Sequence, residues 1–186
     1  VASKAELRRI AAEVRQDLGL GDHEQFNPLK WAQHWGVPFL SITEIGASSE
    51  AVDLFTDKKP DLWSAALIKR GTGHVVFYNP AHAPVRVLSD LAHEVAHLVA
   101  EHPLDATWME SDGKRCGAGR ILETEAAELA GALLVPTEVA KVYGIRGWDA
   151  GALALKFGVS VDMAKWRIGQ AGGTVIRQRT LAKNRR

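Results

Sequence analysis

The chain has one cysteine, almost no net charge, no internal repeat and no apolar stretch of membrane-spanning length. A lone Cys116 among 186 residues rules out an internal disulfide framework and fits a reducing compartment, with the cytoplasm as the default. The longest apolar stretches, such as residues 130–136, fall far short of the roughly 20 residues needed to cross hydrocarbon. The first residues interleave charges with apolar positions at helical spacing and do not read as a signal peptide, so no membrane partner is expected. With 23 basic and 22 acidic side chains the net charge is +1, which leaves no global electrostatic footprint for nucleic acid. The last ten residues are basic through Arg177, Arg179, Lys183, Arg185 and Arg186, and read as a solvated, frayed end.

What remains is an ordinary globular composition, 46% hydrophobic and 24% charged, on a chain long enough for one domain with a core and a small appendage. Helical periodicity marks residues 5–18, stopped by Gly19 and Gly21, and residues 28–36, opened by Pro28 and anchored by Trp31 and Trp35. Short apolar runs at 37–42, 64–69 and 74–78 predict a small antiparallel sheet, its last two strands joined as a hairpin through Arg70, Gly71, Thr72 and Gly73. Residues 47–62 read as a partly mobile excursion, and the Gly- and charge-rich 105–120 as a loop holding Cys116 as a free surface thiol. Longer helices are predicted over 84–101 and 122–134, the second ended by Pro136. Helices at 149–157 and 160–168, separated by Gly158, have helix-turn-helix spacing. The second carries Lys165 and Arg167 but also Asp162, Met163 and Trp166, which favours packing or protein docking over groove reading. The fold class is α+β, with a core over 1–143 and a small helical unit over 144–186.

The chemistry is concentrated in His93-Glu94-Val95-Ala96-His97, an H-E-x-x-H string inside the 84–101 helix. Positions four apart share a helix face, so both imidazoles can reach one tetrahedral zinc. Glu94 is then placed to take a proton from the attacking water. Leu88, Leu91, Ala92, Val95, Leu98 and Val99 make this helix nearly apolar, and buried imidazoles there need hydrogen bonds or a cation.

A catalytic zinc takes three protein ligands and leaves one position open. A third histidine in the H-E-x-x-H-x-x-G-x-x-H arrangement is excluded, because Ala100 and Pro103 occupy the glycine and histidine positions. His102, about 140° around the helix from His97, points elsewhere unless the helix has already ended. A carboxylate from 122–134 fits better. That helix offers Glu123, on a different face from Glu125, while Glu125 and Glu128 share a face, so spacing does not choose between those two.

These residues, with His102-Pro103 and the run from Glu125 to Pro136, resemble the ImmA/IrrE family of metallopeptidases. The resemblance covers most of the chain. In that family a helix reading Glu-Ala-Asn-x-Phe-Ala and ending in Leu-Met-Pro supplies the third ligand from its leading glutamate. The resemblance therefore implies a site of His93, His97 and Glu125 with Glu94 as the base. Ala127, Leu129 and Ala96 depart from the usual asparagine, phenylalanine and glycine; none is a ligand, but they loosen any transfer of substrate.

The expected activity is that of a zinc endopeptidase, with manganese as an alternative ion. Its expected partner, by resemblance, is a protein substrate such as a transcriptional repressor. The strand at 74–78 would offer an open edge to an extended peptide. His74, Tyr78 and Tyr143 are candidate donors to an oxyanion, none singled out. A regulatory module that binds protein or DNA, its metal site structural or vestigial, is the competing reading, and a hydrolase of a non-peptide amide is a third.

Overall fold

The computed structural model describes residues 2–103 and 119–184; Cys116, with most of the predicted 105–120 loop, and Arg185 and Arg186 lie outside the described residues. In chain order the elements are α1 (Lys4–Asp17), α2 (Pro28–Trp35), β1 (Phe39–Ser41), α3 (Ser49–Asp53), β2 (Ala65–Arg70), β3 (Gly73–Tyr78), α4 (Pro84–Val99), α5 (Arg120–Leu134), α6 (Thr137–Arg146), α7 (Ala150–Phe157), α8 (Val161–Gln170) and α9 (Gly173–Lys183). The class is α+β, as the periodicities predict. Among the described residues no helix is long and apolar enough to cross a membrane. The elements group into two compact units, Asn27–Ala127 and Ala2–Phe26 with Glu128–Arg186, and α5 runs from the first into the second.

In the first unit the strand order is β1-β3-β2. The β2 to β3 hairpin is antiparallel, pairing Leu67 with Val76, and Gly71 takes φ +61° at the first position of a two-residue turn, which the II′ geometry requires. β1 runs parallel to β3, pairing Phe39 with Val76, so the sheet is mixed where an antiparallel one was expected. Periodicity fixes which side chains face inward but not the direction of a non-adjacent partner. β3 is thereby the central strand, and the open edge expected at 74–78 is taken up by β1. One sheet face meets α4 through a core of Leu67, Val76 and Leu91, flanked by Phe39, Tyr78, Val87 and Leu98. The 47–62 excursion is ordered: α3 passes into a π turn at Leu54–Lys58 and a 3-10 turn at Pro60–Leu62. Buried Asn79 ties it down, its amide donating to Phe55 O at 2.6 Å and facing the carbonyls of Pro60 and Trp63 at 3.2 Å.

The second unit is helical. α1 is capped by Ser3, whose hydroxyl accepts from the Glu6 N–H, and buries Leu7, Ala11 and Val14. Arg15 leaves α1 to donate to Leu133 O (2.8 Å), Gly21 O and Glu24 O (both 2.7 Å). Such bonds join the N-terminal helix to the C-terminal ones. α6, absent from the periodicity reading, follows Pro136 directly, the proline serving as N-cap as well as stop. α9 packs on α6 where Gly144 meets Gly173. A Cβ on Gly144 would stand 2.8 Å from the Thr174 nitrogen, so α9 docks by its first turn, while residues 177–184 of the tail are exposed, as expected, and helical through Lys183.

Candidate metal centre

α4 is buried almost all round from Leu91 to His97, with His93 its partly exposed member. One turn apart on this helix, the rings of His93 and His97 turn their Nε2 atoms toward each other at 3.1 Å. Glu123, on the first turn of α5, closes the triangle. Its Oε2 lies 3.2 Å from His93 Nε2 and its Oε1 3.4 Å from His97 Nε2. One ligand atom from each of the three residues lies within 4.8 Å of the others, close enough for all three to reach a single divalent cation. Glu123 Oε1 is buried and makes no hydrogen bond, an acceptor left free for such an ion. Among the described residues, His93, His97 and Glu123 form the group that could hold a metal.

The electrostatics agree with a cation site. Burial works against the Glu123 carboxylate, yet the facing His93 and His97 outweigh it and bring its pKa down to about 2. Burial likewise depresses His93, but its hydrogen bond to Glu123 and the charge of Glu94 leave its pKa raised. Glu94, 4% exposed, has its pKa raised by burial against the pull of His93 and His97, and its buried Oε2 makes no hydrogen bond. A desolvated, unengaged carboxylate next to the two imidazoles has the character of a general base.

Glu125, the third ligand implied by resemblance, is not brought to this triangle. It is buried with its Oε1 3.7 Å from His102 Nε2. Residues two apart on a helix face different ways, so α5 turned to present Glu123 to the imidazoles cannot also present Glu125 there. Glu128 is engaged in the second unit, 3.2 Å from Lys4 Nζ and 3.9 Å from Arg167 Nη1.

α4 ends early, which frees His102 from the helical direction that would point it away. The Glu101 and His102 N–H groups donate to Leu98 O (3.1 Å) and His97 O (3.0 Å), a Schellman closure with Glu101 left-handed at φ +53°. The chain folds back, and His102 Nδ1 lies 3.0 Å from His97 Nδ1. Asp90, one turn before His93, was also missed. Burial raises its pKa, and its Oδ2 sits 3.6 Å from His82 Nδ1 and 3.8 Å from Arg86 Nε.

The remaining candidates are scattered. His74 pairs with Lys69 across the hairpin, Tyr78 is partly buried at the end of β3, and Tyr143 stacks edge-on against Trp148 in the second unit. On α8, Arg167 is buried and donates to Val135 O and Thr137 Oγ1, while Asp162 stands 96% exposed beside Lys165. That surface offers little to a phosphate backbone.

A profile of the peptidase M78 family, described as the IrrE N-terminal-like domain, matches residues 41–168. The chain belongs to this family. Membership makes it a metallopeptidase with a protein substrate, as the resemblance implied. The M78 match begins at the end of β1 and runs through the metal centre to α8. No curated protein matches the chain at a significant level.

Proposed function

We propose that this M78 peptidase is a zinc-dependent endopeptidase in which His93, His97 and Glu123 hold the ion and Glu94 is the base. The observation that carries the reading is the convergence of two Nε2 atoms 3.1 Å apart with one carboxylate, whose two oxygens stand 3.2 and 3.4 Å from them, all within reach of one ion. Two imidazoles and a carboxylate suit zinc and also accept manganese. Bound there, the cation would polarise the scissile carbonyl and ease loss of a proton from the attacking water. Glu94 takes that proton as the water oxygen bonds to the carbonyl carbon, and returns it to the amine nitrogen as the C–N bond breaks. Its burial without a competing hydrogen bond supports that shuttle.

Because β3 is central, a substrate strand would add to an outer edge of the sheet, at β2 or β1. The substrate we favour is a transcriptional repressor or similar regulator in the cytoplasm, a reading that rests on family likeness and the single cysteine. Co-expression with candidate repressors from the same genome, with and without chelator, tests it. Metal-dependent cleavage supports the proposal, and a repressor left intact by the metal-loaded enzyme contradicts it.

A further inference from the structure

We infer that Glu125 and His102 are positioning residues that hold His97 in the one tautomer able to ligate through Nε2. This rests on the metal-centre reading above and deepens it. Two ring nitrogens 3.0 Å apart, His97 Nδ1 and His102 Nδ1, can bond only if one donates and the other accepts. Ligation uses the Nε2 lone pair of His97, so its proton must sit on Nδ1, which donates to His102 Nδ1. The His102 proton is then on Nε2, the atom 3.7 Å from Glu125 Oε1. Every assignment follows from the first, and the Glu125 carboxylate, in ion-pair range of His102 Nε2 though beyond hydrogen-bond length, favours the proton on that nitrogen by its charge.

Two independent features support a built arrangement. Both side chains are buried, His102 at 8% and Glu125 at 8% exposure, so neither is there for solvation. Glu101 is, among the described residues, the one non-glycine with positive φ, and that turn carries His102 back under His97. The resemblance that pointed to Glu125 is thus met by a different role for it, one residue removed from the ligand.

The test uses the full chain loaded with zinc. Nitrogen-15 NMR of the imidazoles should show His97 protonated on Nδ1, with that proton slow to exchange and bonded to a His102 nitrogen. Zinc affinity by chelator competition should fall about tenfold to a hundredfold in His102→Phe, which keeps a ring but no acceptor. His102→Asn, whose amide oxygen reaches the Nδ1 position, should recover most of the loss. Glu125→Gln should weaken binding less than Glu123→Gln while keeping one zinc per chain. An Nδ1 of His97 without a proton, or His102→Phe binding as wild type does, overturns this inference while leaving the metal centre standing. If wild type binds no stoichiometric zinc, or Glu123→Gln and His93→Asn bind as it does, the metal-centre reading falls and this inference with it. The wild-type NMR result holds even if a variant fails to fold.

Discussion

His93 Nε2 and Glu123 Oε2 face each other at 3.2 Å although 30 residues separate them in sequence. That pair is why we propose Glu123 as the third ligand, because a helix turned to bring Glu123 to the imidazoles does not present Glu125 to them as well.

Exchange of each carboxylate for its amide should rank them. Glu123→Gln should lower zinc affinity by more than about a hundredfold, beyond the loss typical of a supporting hydrogen bond. Glu125→Gln should fall within that supporting range, and Glu128→Gln, whose partners are Lys4 and Arg167, should leave affinity unchanged. Isothermal titration or chelator competition reads the order, and a larger effect at position 125 than at 123 would reverse the assignment.

The metal-free protein should carry a pH signature of the same pair. Glu123, lowered from the usual 4.5 to about 2, contributes stability above pH 4.5 that is lost as pH falls through its folded value. His93, raised above 6.5, contributes stability below that value that is lost as pH rises through its folded value. The advantage of wild type over Glu123→Gln in urea unfolding should therefore peak between the two, at order 2 kcal/mol, and shrink as pH falls toward 2 and as it rises through the raised His93 value. A difference that does not vary with pH would show that the pair does not form in the apo protein.

Arg167 should behave as a structural cation and not as a nucleic-acid contact. Burial lowers its pKa to about 10, and its guanidinium donates to Val135 O and Thr137 Oγ1. Arg167→Leu leaves those acceptors and nearby Glu128 without it, which should cost about 3 kcal/mol and several degrees of Tm. Lys165→Ala, exposed on the same helix, should change Tm little. Equal effects of the two on stability would contradict this packing.

Much of this was legible because it is local. The α4 and α5 periodicities and the hairpin turn at Gly71 are written in neighbouring residues. The H-E-x-x-H spacing alone brings His93 and His97 to one face. What sequence did not carry is tertiary. The rotation of α5 that selects Glu123 comes from packing, and the parallel pairing of β1 with β3 comes from topology. The return of His102 depends on a left-handed Glu101, a conformation that only glycine or asparagine would have signalled. α6 was hidden because Pro136 stops one helix and starts the next, and α9 because only its first turn docks, where Gly173 meets Gly144, while its arginines face solvent as read.

The direct measurement is an anomalous difference map at the zinc edge from crystals of the zinc-loaded protein. The account predicts one peak about 2.0–2.2 Å from His93 Nε2, His97 Nε2 and a Glu123 oxygen, with Glu94 nearby and not bonded to it. A peak ligated by Glu125 in place of Glu123, or no peak between the two imidazoles, would contradict it.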